Sequence, residues 1–416
     1  MAAYVWKHFN CNKNQLCLDT VLNCGQSFRW KKNDQGEWLG VMAGMVWRLK
    51  QANDQILYQV YGPSNSKHST RSAPVSKLND NADKDEIKQE HLDFKNVDSL
   101  VSKDTKVTGK RRKTPLVATS TKTFKKFKIE DVVKVENEVK CDEHEVQLLQ
   151  DYFQLDVDLE ELYQHWSLKD PNFQKVAAAF TGIRILRQDP TENLLSFVCS
   201  SNNHISRISS MVEKLCLHYG NFISKVDNID YYTFPEFSCL CGDDVEAKLR
   251  QLGFGYRAKF IASIARNITQ EKPAQWLESL RWKSYSEAKA ELMTLLGVGA
   301  KVADCVCLMS LDKPGALPVD THVWQITRKN YMAKLQTAKS LTDKLYREIG
   351  DFYRSLWGPY AGWAHSVLFT ADLRHNKEKN TEELHTSTEH CLKPNSRGKN
   401  RSPNHFVKHT KNKKVC

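Results

Sequence analysis

The chain has 416 residues, of which 40% are hydrophobic, and it carries a formal net charge of +12. This length allows roughly two or three domains with a sizeable core, and the basic balance suits a nucleic-acid partner. We find no secretory signal and no apolar run long enough to span a bilayer, so we expect an intracellular protein with reduced thiols and no membrane partner.

The positive charge is concentrated in two polar segments. Residues 64–147 carry a net +3 and residues 376–416 a net +6, which leaves +3 for the rest of the chain. A nucleic acid would therefore be bound through a local patch and through helix ends. The twelve cysteines show no repeated C-x2-C pairs at zinc spacing, so we expect no metal site.

Residues 1–63 are predicted to form an antiparallel β domain. Polar and apolar residues alternate over residues 38–50 and 55–61, with residues 51–54 as a hairpin loop between them. Before these strands, the string G-Q-S-F-R-W at residues 25–30 is typical of a glycine turn entering a strand.

Residues 64–147 are rich in Lys, Asp, Asn, Ser and Thr and nearly free of aromatic residues, so we predict a disordered insertion. Its K-R-R-K cluster at residues 110–113 suggests nuclear import, and a mitochondrial pool is left open. Lys88 and Lys134 each lie in an aliphatic-Lys-x-Glu pattern, as in sites for modification by a small ubiquitin-like protein. The basic tail at residues 376–416 is also predicted to be disordered.

Residues 148–375 are predicted to be mainly helical, which makes the chain an α+β protein. The string S-S-N-N-H-I-S-R at residues 200–207 opens one of these helices. Residues 253–257, G-F-G-Y-R, form a glycine-flanked turn that carries an aromatic residue and a cation. Such a turn is typical either of a helix–helix connection or of a wedge pushed into a duplex.

Residues 286–312 are predicted to form a helix-hairpin-helix. The first helix is amphipathic, and its apolar face consists of Ala288, Leu292, Leu295 and Leu296. Gly297 and Gly299 permit a sharp turn, and Lys301 lies in the first turn of the second helix.

Lys301 and Asp320 are the candidate chemical groups of this region. The unpaired N–H groups at the start of a helix bind anions such as phosphate. The positive helix end and burial both favour a neutral amine at Lys301, which is a nucleophile able to form a Schiff base. Asp320 lies where an N-cap belongs, so its carboxylate is suited to face developing positive charge.

The combination of L-L-G-V-G-A-K-V-A-D-C with P-V-D-T-H-V-W resembles the helix-hairpin-helix and Gly/Pro-rich loop with aspartate of base-excision DNA glycosylases. Together with G-Q-S-F-R-W it is similar to the eukaryotic 8-oxoguanine DNA glycosylase family, over residues 1–63 and 148–375. Related glycosylases that carry an iron–sulfur cluster need four closely spaced cysteines after the hairpin. This chain has no cysteine between Cys307 and Cys391, so that branch is disfavoured.

The resemblance implies a monomer that acts without a cofactor on double-stranded DNA containing oxidised guanine, by flipping the nucleotide into a pocket. Lys301 would attack C1′, Asp320 would assist, and β-elimination would nick the strand. The residues implied to bind the base are Gly25, Cys305, Pro318, Asp320, His365 and Phe369. Those implied to bind DNA are Asn202, Arg207, Tyr256, Arg257, Gly297, Gly299 and His322, the last of them held by Asp372.

One position departs from the family pattern, because members carry glutamine where this chain has His365. Glutamine both donates and accepts along the edge of a base, whereas a neutral imidazole does so with different geometry and an imidazolium only donates. We therefore expect excision to depend on pH near neutrality more than it would with glutamine.

Two alternatives stay open at this point. The first is a glycosylase for another oxidised or alkylated purine. The second is a helix-hairpin-helix module that binds DNA without catalysis, for which no covalent intermediate is expected.

Overall fold

The computed structural model describes residues 5–62 and 142–374, all of which belong to one compact unit. Most of the predicted insertion (residues 64–141) lies outside the described residues, and so does the tail at residues 376–416. The basic cluster at residues 110–113 and the two candidate modification sites therefore have no structural description.

The N-terminal region is a five-stranded antiparallel sheet with the strand order β1-β5-β4-β3-β2. Its strands are β1 (Lys7–Asn10), β2 (Lys31–Lys32), β3 (Trp38–Met42), β4 (Met45–Ala52) and β5 (Gln55–Tyr61). The predicted strand over residues 38–50 is wrong in one respect: it is two strands, because Ala43 and Gly44 both have positive φ (51° and 72°) and close a two-residue turn.

The rest of the described chain is mainly helical, so the predicted α+β class is confirmed. The helices are α1 (Leu18–Val21), α2 (Glu143–Phe153), α3 (Leu159–Lys169), α4 (Pro171–Ala177), α5 (Pro190–Ser200), α6 (Ile205–Tyr219), α7 (Val245–Gln251), α8 (Arg257–Glu271), α9 (Trp276–Ser279), α10 (Tyr285–Leu292), α11 (Ala300–Ser310), α12 (Thr321–Asn330), α13 (Asp343–Trp357) and α14 (361–374). Within residues 5–62 and 142–374, none of the helices has the length and apolar character that crossing a membrane requires.

The structure corrects one predicted boundary and one predicted core residue. Helix α2 begins at Glu143, inside the predicted insertion, because Asp142 caps it and Leu149 and Phe153 pack on the sheet. Leu296 is 46% exposed and not on the core face, because α10 ends at Leu292 and the chain turns before the apolar stripe can continue.

Both faces of the sheet are covered. Trp47 and Tyr58 are buried on the face that packs against α2. On the other face, Val46 and Tyr61 pack against Val226. Val226 belongs to a hairpin absent from the prediction, formed by β6 (Phe222–Val226) and β7 (Ile229–Tyr232).

A buried cation joins the sheet region to the helical region. The guanidinium of Arg184 donates to the backbone carbonyls of Gln15, Gln154 (2.5 Å) and Val157 (2.6 Å), and to the side chain of Gln15 (2.7 Å). Burial lowers the pKa of Arg184 to about 10, so the group still carries its charge at neutral pH. Two chain segments, one at Gln15 and one over residues 154–157, therefore share one charged donor from a third.

The hairpin turn depends on Gly297, whose φ is +86° and whose Cβ, if present, would lie 2.5 Å from the Phe260 ring. We expect Gly297→Ala to lower the free energy of unfolding by about 1–3 kcal/mol, measured by urea denaturation. The control is Gly299→Ala: Gly299 has a φ of −90°, and no described atom lies within 4 Å of its Cβ position. This control should stay within about 0.5 kcal/mol of wild type, and equal losses in both variants would contradict the role of Gly297.

Candidate active site

The helix-hairpin-helix presents Lys301 as the second residue of α11. Ser284 and Glu287 form a capping box that fixes the start of α10. Helix α11 begins after Gly299, which has no side chain to cap it. The positive end of α11 is therefore left for an anionic ligand, and Lys301 lies directly beside it.

The amine of Lys301 is held against α5. Its Nζ lies 3.2 Å from Ser200 Oγ and 4.9 Å from the centre of the Phe197 ring. Ser200 Oγ donates its own proton to the Phe197 carbonyl (2.7 Å), so it is an acceptor toward the amine. Sequence reasoning missed both α5 residues, although Ser200 opens the polar string that the sequence analysis singled out.

Cys305 lies one helical turn after Lys301 and is buried. Burial raises the pKa of its thiol to about 12, an effect that the Lys301 charge opposes and the Asp320 charge reinforces. The thiol is therefore uncharged at neutral pH. Cys305 therefore presents a neutral, buried thiol one helical turn from Lys301.

Asp320 is the N-cap of α12, as predicted. Its Oδ1 accepts from the backbone N–H groups of His322 (2.9 Å) and Val323 (3.0 Å). The preceding residues, Pro318 and Val319, are buried. The carboxylate therefore lies at the start of α12, and the two residues that lead into it are packed in the core.

His365 on α14 is 7% exposed and stacks on Phe369, with ring centroids 6.1 Å apart and an interplanar angle of 29°. Neither ring nitrogen forms a hydrogen bond of normal geometry with any residue that the structure describes. Burial lowers the pKa of His365 to about 4. The Asp320 charge and the Gly362 carbonyl favour the protonated form and raise the pKa, but burial is the larger effect. This corrects the expectation of titration near neutrality, because the ring is neutral there.

Phe369 contacts a second histidine ring besides His365. The His322 ring packs edge-on against the Phe369 ring, with the ring centroids 5.7 Å apart. Its Nδ1 lies 2.8 Å from Asp372 Oδ2, as the family pattern implied.

Gly25 has a φ of +82°, so its predicted turn is confirmed. The neighbouring Cys24 borders the same small cavity as Thr370, which follows Phe369 on α14.

The predicted DNA-binding residues at or just before the starts of α6 and α8 form a second cluster. Tyr256 is half exposed and its hydroxyl donates to the Ser201 carbonyl (3.0 Å). Arg257 is only 3% exposed, lies 4.5 Å from the Tyr256 ring, and donates to the carbonyls of Ser201 and Asn202. Asn202 (φ +48°) and Arg207 are exposed. Arg257 therefore holds the turn, whereas Asn202, Arg207 and Tyr256 face outward.

A buried carboxylate behind Lys301 was also missed. Asp304 has no exposed surface and accepts from Tyr285 Oη (2.6 Å), Lys289 Nζ (2.8 Å) and Tyr346 Oη (2.5 Å). Tyr346 Oη in turn accepts from the Val319 backbone N–H (3.2 Å). The available signal was an acidic residue on a helix, α11, whose other residues are mostly apolar.

Over residues 5–62 and 142–374, no group of three or more His, Cys, Asp or Glu side chains is arranged to hold a metal ion. A cavity of about 370 Å³ is bordered by Asp151, Arg187, Asp312 and Trp363. Neither Lys301 nor Asp320 lines it. The chemistry of the side chains, and not the size of a cavity, therefore identifies the candidate site.

Family comparisons cover most of the described chain. Residues 8–194 match the model of the 8-oxoguanine DNA glycosylase N-terminal domain. Residues 195–350 match the model of the HhH-GPD superfamily base excision DNA repair protein.

Two curated relatives are similar over about half of this chain. The N-glycosylase/DNA lyase OGG1 of Arabidopsis thaliana is 45% identical over 231 residues, which cover 54% of this chain and 61% of the plant protein. The N-glycosylase/DNA lyase of Saccharomyces cerevisiae is 41% identical over 249 residues, which cover 54% of this chain and 66% of the yeast protein. The chain thus spans slightly less than two thirds of either relative.

Solved structures share the fold. One is the Clostridium acetobutylicum 8-oxoguanine glycosylase/lyase in complex with double-stranded DNA containing cytosine opposite 8-oxoG. Its TM-score is 0.60 at 24% identity, over 87% of this chain and 93% of that one. The 3-methyladenine DNA glycosylase of Archaeoglobus fulgidus has a TM-score of 0.54 at 14% identity, over 88% and 98%.

The family resemblance carried by the sequence motifs is thus confirmed. With two consecutive family domains and relatives at 41–45% identity, the chain belongs to the eukaryotic 8-oxoguanine DNA glycosylase family of the HhH-GPD superfamily.

Proposed function

We propose that this protein is a bifunctional DNA glycosylase that excises 8-oxoguanine paired with cytosine and then cleaves the strand by β-elimination. The observation that carries the proposal is the position of Lys301 in the first turn of α11, whose start has no side-chain cap, together with Asp320 as the N-cap of α12. The names of the plant and yeast relatives, N-glycosylase/DNA lyase, support the same two activities.

Each of the two residues has a distinct chemical role. The Lys301 amine forms a bond to C1′ while the glycosidic bond breaks, and the electron pair of that bond leaves with the base. The Asp320 carboxylate stabilises the positive charge that develops on the sugar. The C1′–O4′ bond then breaks, its electron pair and a proton from the amine pass to O4′, and the nitrogen and C1′ form a Schiff base. The Schiff base acidifies the C2′ proton, and removal of that proton by a base breaks the C3′–O bond, so that the 3′ phosphate leaves and the strand is cleaved.

The proposed substrate is a nucleotide flipped out of duplex DNA. Gly25 would offer its carbonyl to the N7–H that oxidation adds to guanine, whereas ordinary guanine has an acceptor at N7 that a carbonyl repels. Asn202, Arg207 and Tyr256 line the exposed surface beside the site and would contact the opposite strand and the base stack. We also propose that the protein acts as a monomer in the nucleus.

His365 supports one alternative within the same class. A neutral imidazole has one donor and one acceptor on diverging ring nitrogens, so it cannot pair with a base edge as an amide does. Another damaged purine is therefore the second candidate substrate. A DNA-binding module without catalysis is disfavoured, because such a module has no need of a lysine and a carboxylate around one site.

Lys301→Gln should abolish covalent capture of the substrate. We expect borohydride to trap the wild-type protein on a duplex containing 8-oxoguanine opposite cytosine, and to trap no detectable Lys301→Gln protein. Base release should fall by about three orders of magnitude or more, because the variant lacks the nucleophile. Denaturing gels measure the adduct, and single-turnover assays measure base release.

The matched control for this experiment is Lys334→Gln, which removes an exposed lysine paired with Glu348. It should be trapped as efficiently as wild type. Trapping of Lys301→Gln at the wild-type level would contradict the proposed nucleophile. Faster release of a different oxidised or alkylated purine opposite cytosine would favour the second candidate substrate, and no adduct with any lesion would favour the binding module.

His365 should destabilise the fold in acid. Its pKa of about 4 in the folded protein lies below the ordinary value of 6.5, so the unfolded chain binds the proton more tightly. The stability present above pH 6.5 is therefore lost as the pH falls toward 4. Relative to His365→Gln, the wild type should lose up to about 1.4 kcal/mol of unfolding free energy per pH unit in this window.

Urea denaturation at pH 6.5, 5.5 and 4.5 measures this difference. His144→Gln, at an exposed position of α2, is the control and should follow the wild type. If the curves of wild type and His365→Gln run parallel across the window, the buried neutral state of His365 is refuted.

A further inference from the structure

Lys301 and Asp320 lie on different helices, and residues 311–319 connect them. Transition-state stabilisation requires the amine and the carboxylate to keep a fixed separation, because a small misplacement of a reacting group costs much of the rate. Helix α11 fixes the backbone of Lys301. Some contact outside α12 must fix the approach to Asp320.

Asp304 provides the first half of such a contact. It lies three residues after Lys301 on α11 and is completely buried. A buried carboxylate needs several donors to offset its lost hydration. Asp304 obtains them from Tyr285 and Lys289 on α10 and from Tyr346 on α13.

Tyr346 provides the second half. Its hydroxyl donates to Asp304 Oδ2 (2.5 Å) and accepts the backbone N–H of Val319 (3.2 Å), the residue immediately before Asp320. Burial, together with the neighbouring Asp304 charge, raises the pKa of Tyr346 far above its usual range, so the phenol keeps its proton. One hydroxyl therefore links α11 directly to the backbone that leads into Asp320.

We propose that Tyr346 is a positioning residue for the glycosylase reaction, setting the Asp320 carboxylate against Lys301 through Val319 and Asp304. This inference rests on the proposed function. Tyr346 acts on the backbone before Asp320 and needs no contact with DNA or the base. Its loss should lower the rate of base release and leave DNA affinity unchanged.

Tyr285 offers a matched comparison. It also donates to Asp304 (2.6 Å), and burial, with Asp304 beside it, likewise raises its pKa above the usual range. Its hydroxyl donates to Asp304 and accepts from Lys289 Nζ (3.2 Å), and neither of these two residues belongs to the segment before Asp320. Tyr285→Phe and Tyr346→Phe each remove one phenol hydroxyl from the same carboxylate, and only Tyr346→Phe also frees the Val319 N–H.

The test compares these two variants with wild type on a duplex containing 8-oxoguanine opposite cytosine. In single-turnover assays at saturating protein, we expect Tyr346→Phe to release base about 10- to 100-fold more slowly. Its Kd for the duplex should stay within about twofold of wild type. Tyr285→Phe should lose a similar amount of Tm but retain base release within about threefold of wild type.

A second measurement does not depend on activity. Hydrogen exchange of the Val319 amide should be faster in Tyr346→Phe than in wild type and unchanged in Tyr285→Phe. Equal losses of rate in the two variants, or Val319 exchange unchanged in Tyr346→Phe, would overturn the positioning role. A wild-type protein that releases no base would refute the proposed function, and the exchange measurement would still decide whether Tyr346 holds this backbone.

Discussion

A carboxylate without solvent contact, Asp304, is the constraint on which the arrangement of the site depends. Removing a charge from water is costly, and the cost is offset only when several donors meet it at once. Those donors come from α10 and α13, so the carboxylate is satisfied only when both helices are docked on α11. The geometry around Lys301 is therefore coupled to the packing of three helices.

The sequence predicted best what depends on neighbouring residues. The glycines of the hairpin, the cap at Asp320 and the turn at Gly25 were found because short spacings determine them. The turn at Ala43 and Gly44 was missed because an alanine with positive φ carries no such signal. The β6–β7 hairpin was missed because it interrupts a region whose pattern is mainly helical.

The chemical groups of the site were predicted, but their environment was not. Ser200 lies about a hundred residues before Lys301 in the chain, and no local pattern predicts that the two side chains meet. The family motif drew attention to His365, yet its neutral state follows from burial among residues of distant segments. The inward orientation of Arg257 likewise depends on the carbonyls of a turn in another part of the chain.

The hydrogen bonds of Arg184 hold together the two described parts of the chain. Its acceptors lie on both sides of the segment between residues 62 and 142, with Gln15 before it and Gln154 and Val157 after it. Strand β1 adds an ion pair across the same gap, between Lys7 and Glu145 (2.6 Å). A protease that nicks this segment would therefore leave two fragments associated without a covalent link, and cleavage there is separable from unfolding.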